Sequence, residues 1–433
     1  MKRALYILSI LSLILFLVTS LVESIAIIKP TLILGFAFLA LASARTRRLK
    51  GFTFSFWILT AVCASMIYPD IFTGIGDFKF KLLIVPLLQI IMFGMGSQMS
   101  LNDLAGVVKM PRGVIIGVLC QFTIMPIVGF TIAKVFSFPP EIAAGIVLVG
   151  CSPGGLASNV MSFIARANLA LSITITTIGT LLSPFLTPLL MKVIAGELVE
   201  INVFGMMAGI FNMVILPICA GLIFNLFLYK SKLANRVYQM AAYLVLILLK
   251  NLLGSVSGDA EAFISVSLLW DLVLFWLSPI FLAFLFKYLA KGKKEILDKM
   301  LSYLSMVGIT VIIIVITAAG HESLLKLGAL LILATFLHNT FGYLLGFSCG
   351  RIFGMQEKDC RTIALEVGMQ NGGLASGLAL EMGKIATVGL APAVFGPMMN
   401  ITGSSLASWW RNRTPKETIN YTVEQQVELQ LND

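Results

Sequence analysis

The string Gly-Gly-Leu-Ala-Ser occurs twice in this chain, at 154–158 and at 372–376, and each copy interrupts an apolar segment long enough to cross a bilayer. In hydrocarbon every backbone polar group must be satisfied from within, so a membrane helix breaks only where protein, water or an ion meets the freed groups. At the first copy Pro153 lacks a backbone donor and clashes with the preceding turn, which stops a helix. Gly154 and Gly155 then let the chain leave helical angles, and Ser158 and Asn159 open the next helix. The copies lie 218 residues apart, about half of the 433-residue chain. Glycine pairs in matching places of two halves point to two discontinuous helices that meet near the membrane centre.

Composition places the rest of the chain in lipid as well. Hydrophobic residues make up 58% and charged residues 12%, against about 25% charged in soluble domains. A spanning helix needs about 20 apolar residues. Fourteen segments approach or exceed that length: 4–22, 26–44, 52–69, 79–99, 111–136, 141–165, 168–191, 202–229, 237–256, 263–289, 299–319, 323–350, 360–381 and 385–410. They are too long and too continuously apolar for barrel strands, so the fold class is an all-α polytopic membrane protein. With the N-terminus inside and every segment crossing, inner loops receive 23 Lys and Arg and outer loops 8, the bias of cytoplasmic loops. Both termini then lie in the cytoplasm. The net charge of +10 is loop charge and not a nucleic-acid footprint. The first segment reads as a retained helix in preference to a cleaved leader, since no small-x-small site stands out. The polar tail after Arg413 reads as a short disordered end, where the sequon at Asn420 would be inert.

Chemistry is concentrated at the breaks. The second reads Glu366-Val-Gly-Met-Gln-Asn371 before its glycines. An ionisable residue deep in an apolar segment marks function by default. No basic residue shares the expected depth of Glu366, since Arg361 lies about one turn back at the cytoplasmic edge, so a bound cation is the natural partner. Hard cations take carboxylate, amide, hydroxyl and carbonyl oxygens, and the breaks supply all four kinds. Ser172 and Thr176, four apart on one helical face, follow the first break, and Gln121 precedes it. Helices restarting after 155 and after 373 turn free donors and positive dipole ends toward one point, which suits an anion.

Other polar residues carry less. Cysteines 63, 120, 151, 219, 349 and 360 are scattered without metal-ligand spacing and read as small apolar residues. His321 and His338 make neither a metal site nor a relay. Glu141, Asp259, Asp271 and Glu381 read as solvated charge near outer ends, and Lys291 to Lys294 as an inside-positive loop that can meet anionic lipid. No nucleophile with a base lies at membrane depth, which argues against an enzyme.

Gln121-Phe-Thr-Ile-Met-Pro126, Pro153-Gly-Gly-Leu-Ala-Ser-Asn159 running on to Leu182-Ser-Pro184, and Glu366-Val-Gly-Met-Gln-Asn371 resemble the signature segments of the bile acid:sodium symporter family, in the same order from about 52 to 411. The resemblance implies sodium-coupled symport of an organic anion by alternating access, with Na⁺ as coupling ion and no other cofactor. It implies a monomeric bacterial inner-membrane protein with a panel and a core built from inverted repeats. One sodium site would use Ser158, Asn159, Ser172, Thr176 and Glu366. The other would use Gln121, Glu366, Gln370 and the carbonyls of Val367 and Met369. Asn371 would face substrate, with Gly155, Leu156, Gly373 and Asn400 around it. The competing coupling scheme is a proton-coupled carrier or exchanger in which Glu366 titrates. The corresponding divisions are an extra helix pair at 1–50, a first repeat at 51–200, and panel helices of a second repeat at 201–322 with an inserted pair near 237–289. Core helices follow at 323–411 and a tail at 412–433. Leu156 stands where members often have Thr, and Met399 where bile-acid-binding members often have His.

Overall fold

The apolar segments fold as helices because only helices and closed barrels satisfy the backbone in hydrocarbon. The computed structural model describes residues 2–21, 25–46, 52–99, 106–229, 233–256, 266–290 and 293–415. Asp259, the Asn420 sequon, Lys291 and the tail from 416 lie outside the described residues.

An N-terminal pair, α1 (Lys2–Leu21) and α2 (Ile25–Ala44), leads into α3 (Thr53–Ile67). A hairpin of β1 (Gly74–Ile75) and β2 (Phe78–Lys79) precedes α4 (Ile84–Gln98). After the short α5 (Gly106–Lys109) come α6 (Pro111–Val135), α7 (Pro140–Cys151), α8 (Ala157–Ile164) and α9 (Leu169–Ala195). Next are α10 (Val203–Ile210), a π-turn at Phe211–Ile215 and α11 (Leu216–Leu228). Then follow α12 (Leu233–Val256), α13 (Val266–Leu272), a second π-turn at Val273–Leu277 and α14 (Ser278–Ala290). The chain closes with α15 (Lys294–Ala319), α16 (His321–Ile352), α17 (Glu357–Gly368), α18 (Gly372–Glu381) and α19 (Leu390–Arg411).

Over the described residues each of the fourteen sequence segments is thus helical in the main, and the two that carry Gly-Gly-Leu-Ala-Ser are broken as expected, into α7 and α8 and into α17 and α18. Among the described residues, seven helices are long and apolar enough to cross a membrane. The restarts fall at Ala157, within two residues of the expected break, and at Gly372, inside the glycine pair expected to precede the helix. Asn371 sets the second: its Oδ1 accepts from the N–H of Leu374 at 3.0 Å and caps α18. Asn168 and Asn202 cap α9 and α10 in the same way, each cap contributing about 1 kcal/mol.

The helices pack as two groups. In one, α6–α9 and α16–α19 interlock, with α16 against α6, α17 and α19. In the other, α4 lies against α11 and α15, and α3 against α15. The groups touch where α18 meets α4 and α10, and where α19 meets α15 and α3. The inserted helices α12 and α14 lie on α10 and α11. Asp271 corrects the expectation of a solvated charge. It is 6% exposed and bonded to Lys250 of α12 at 2.7 Å and to Asn251 at 3.1 Å, because the insertion folds back on itself and a charge inside such a pair needs its opposite. Glu141 is ion-paired with Lys384, and Glu381 stays exposed beside Gly209.

Arg361 sits where α8 and α19 end. It is 1% exposed and among the largest fully buried side chains. Its Nη1 donates to the carbonyls of Ala165, Trp410 and Arg413 at 3.1, 3.3 and 3.1 Å, and its Nη2 pairs with Glu357 at 2.5 Å. Those carbonyls end α8 and α19, where unsatisfied C=O groups and the negative dipole end attract a cation. Replacing Arg361 by Ala is expected to cost about 3 kcal/mol, read as a lower thermal unfolding midpoint in detergent. Arg361→Lys is expected to recover only part, since an ammonium lacks the guanidinium fork. An unchanged midpoint in Arg361→Ala would show that the ends of α8 and α19 hold without it.

A candidate cation site where two broken helices cross

The crossing is built first of backbone. Pro153 ends α7, and residues 153–155 run alongside 369–371. Gly154 and Gln370 form an antiparallel bridge. The N–H of Gly155 donates to the carbonyl of Met369 at 2.8 Å, and the N–H of Asn371 to that of Pro153 at 2.8 Å. Each break therefore supplies partners to the other. Glycine is required by the closeness of approach: a Cβ at Gly155 would stand 2.8 Å from the carbonyl oxygen of Gln370, and one at Gly154 would stand 2.8 Å from Glu366 Oε2.

Glu366, near the end of α17, is 0% exposed. Its Oε1 accepts from Ser158 of α8 at 2.6 Å and from Ser172 of α9 at 2.5 Å. Its Oε2 accepts from Thr176 at 2.7 Å. Asn159 Oδ1 accepts from Ser172 at 2.8 Å and from Thr176 at 3.3 Å. Among the described residues no Lys, Arg or His is ion-paired with Glu366. The structure thus brings together all five residues of the first expected set, on three helices, around one carboxylate. Such a cluster holds one formal negative charge and a surplus of oxygen acceptors, and it can hold a cation of matching charge and hard, oxygen-seeking character.

The second set is joined in part. Gln121 Nε2 donates to Gln370 Oε1 at 2.6 Å and to the carbonyl of Ser152 at 3.0 Å, while Gln370 Nε2 donates to the carbonyl of Val367 at 2.5 Å. Gln121 Oε1 is buried with no hydrogen-bond partner among the described residues. The carbonyl of Met369 is already engaged by Gly155, and the Glu366 carboxylate turns toward the first set.

Of the residues expected at substrate, Gly155, Asn371 and Gly373 adjoin. A Cβ at Gly155 would stand 3.6 Å from the Asn371 Cα, and one at Gly373 would stand 3.4 Å from Asn371 Oδ1. Asn371 is 7% exposed and spends its oxygen on the cap of α18. Leu156 is 37% exposed. Asn400 is half-buried and donates back to the carbonyl of Gly396 at 3.0 Å.

Sequence reasoning missed polar residues behind these. Thr187 donates to the carbonyl of Cys151 at 2.7 Å, and Gln89 bonds Asn212 in the π-turn at 3.3 Å. A lone amide inside an apolar helix is the signal that could have found Asn212.

The sequence matches the family described as Sodium Bile acid symporter family over residues 85–259. It is 34% identical over 368 residues to a protein named an uncharacterized sodium-dependent transporter in Bacillus subtilis (strain 168), covering 85% of this chain and 93% of that one. It is 30% identical over 330 residues to a protein named a probable chloroplastic sodium/metabolite cotransporter in Arabidopsis thaliana, covering 76% of this chain and 67% of that one. A similarly named rice protein (Oryza sativa subsp. japonica) is 27% identical over 360 residues, or 83% of this chain and 70% of its own.

The two glycine pairs differ in what a methyl group would meet. Gly155→Ala presses on backbone, whereas Gly373→Ala meets the end of the Leu88 side chain at 2.9 Å. Gly155→Ala is expected to lose about 1–3 kcal/mol and Gly373→Ala clearly less, compared by thermal unfolding in detergent. Equal losses would mean that the backbone contact at 155 is not the tighter constraint.

Proposed function

Because the chain belongs to the sodium bile acid symporter family, we propose that it is a sodium-coupled symporter of organic anions. It is an integral membrane protein, and its relatives are named as transporters and not as enzymes. The observation that carries the proposal is Glu366, a fully buried carboxylate ringed by Ser158, Ser172 and Thr176 and without a basic partner among the described residues. An unpaired ionised carboxylate in a low-dielectric interior costs several kcal/mol. A sodium ion removes that cost and takes ligands from Ser158, Asn159, Ser172, Thr176 and Glu366. The hydroxyls that now donate to the carboxylate turn their lone pairs to the ion.

A second sodium ion would use Gln121, Gln370 and the carbonyls of Val367 and Met369, with Glu366 shared between the sites. The buried free oxygen of Gln121 supports this assignment. Since the residues come from both breaks, ion binding ties the two half-helices together and orders the crossing. The anion then meets Asn371, Gly155, Leu156, Gly373 and Asn400. Its class is a bile acid or a smaller carboxylate such as a pantothenate-like acid or pyruvate, which the start of α18 favours by its dipole. In this reading α6–α9 and α16–α19 form the core, and α3, α4, α10–α11 and α15 the panel. The core rocks on the panel to expose the site to either side. The chain sits in the plasma membrane with both termini inside. Each sodium ion entering down about 100 mV contributes about 2.3 kcal/mol toward accumulating substrate.

Glu366→Gln is expected to abolish sodium-dependent uptake into proteoliposomes while leaving membrane insertion intact. Uptake at the normal level would refute its role. Gln121→Ala is expected to raise the sodium concentration for half-maximal transport about tenfold, and an unchanged value would remove it from the site. Running both at several external pH values separates the coupling ions: a proton-coupled carrier would keep its uptake when potassium replaces sodium.

A further inference from the structure

Asn339 follows His338 on α16, and the site above does not use it. The step of 218 residues that separates the two Gly-Gly-Leu-Ala-Ser strings also separates Gln121 from Asn339. Gln121 lies on α6, the helix before the first broken pair, and Asn339 on α16, the helix before the second. Each sends its amide to a carbonyl at the end of the half-helix that follows. Gln121 reaches Ser152 after α7 at 3.0 Å, and Asn339 reaches Gly368 at the end of α17 at 2.7 Å.

Resting on the sodium reading above, we propose that Asn339, held by Thr402, is a positioning residue that aims the carbonyls of Val367 and Met369. Asn339 is 0% exposed, and its Oδ1 receives the Thr402 hydroxyl of α19. The Tyr343 hydroxyl lies 3.3 Å from that same Thr402 oxygen. The Tyr343 ring lies on Gly368, where a Cβ would stand 2.2 Å from Cδ1. Peptide units are planar, so fixing the carbonyl of Gly368 fixes the plane between its Cα and that of Met369. The carbonyls of 367 and 369 belong to the planes on either side and turn only about those two Cα atoms. The Val367 carbonyl already accepts from Gln370 and the Met369 carbonyl from Gly155, and Asn339 adds the hold on the peptide plane between them. Gln121 acts on the ion from the front, and its counterpart acts from behind through backbone.

The test is sodium dependence of uptake by proteoliposomes holding the full chain, at fixed substrate, for wild type, Asn339→Asp, Thr402→Val and Thr402→Ser. Asn339→Asp loses the donor to Gly368 and is expected to raise half-saturating sodium tenfold or more, the usual scale for partners behind a metal ligand. Thr402→Val, nearly isosteric, is expected to shift it in the same direction, and Thr402→Ser to restore the wild-type value. Maximal uptake at saturating sodium is expected to change less than twofold. Half-saturating sodium unchanged in both Asn339→Asp and Thr402→Val, beside a sodium-dependent wild type, would overturn the positioning role alone. A fall in maximal uptake without a shift would overturn it too, in favour of a purely structural contact. Wild-type uptake indifferent to sodium would overturn the sodium reading and this inference together. Should the Asn339 variant fail to fold, the comparison of Val with Ser at 402 decides by itself.

Discussion

A helix that stops inside a bilayer leaves its last carbonyls and the next helix's first N–H groups without partners, and no water is at hand to replace them. This chain meets that demand by crossing two interruptions, so that Gly155 and Asn371 donate to the carbonyls of Met369 and Pro153 across the gap. Neither break is stable alone. The pairing requires glycine where a methyl group would strike the opposite backbone, and it delivers Glu366 of one half to Ser158 of the other. The carboxylate and the crossing are therefore one construction: moving either strand would unmake the ring of hydroxyls.

That dependence is why the proposed ion can act as more than a counter-charge. Its ligands sit on α8, α9 and α17, from both halves of the chain. An ion bound there would strengthen a crossing that backbone and side-chain hydrogen bonds now hold, and would ready the neighbouring surface for an anion. A ligand can shift an arrangement only by its differential affinity for it, and protein ligands drawn from both halves would supply such a difference.

Much of this was legible in the sequence because the bilayer leaves few options. Long apolar runs had to be helices, proline and glycine pairs had to be breaks, and Glu366 had to have a partner. The unread parts depend on contacts between residues far apart in the chain. Nothing near Arg361 foretells that carbonyls at 165, 410 and 413 converge on it. Asp271 read as solvated because nothing in the sequence pairs it with Lys250 of the neighbouring helix. Asn371 read as a substrate contact, and its oxygen also caps α18, a local role that spacing alone does not reveal. The four residues around Glu366 were found by type and position, whereas Thr187 and Gln89 were not, since hydroxyls and amides in apolar helices are common and only packing tells which ones matter.

The crossed halves are fastened at both extremities by very different means. At one, Arg361 is sunk among carbonyls and stacked near Trp410. At the other, Lys384 meets Glu141 with roughly a third of each side chain open to solvent. Dissolved ions screen an open pair of that kind within about 8 Å in physiological saline and hardly touch an enclosed one. Brine would therefore slacken one rim of the molecule and leave the opposite rim taut, giving a protein whose two faces yield unequally before any cargo arrives.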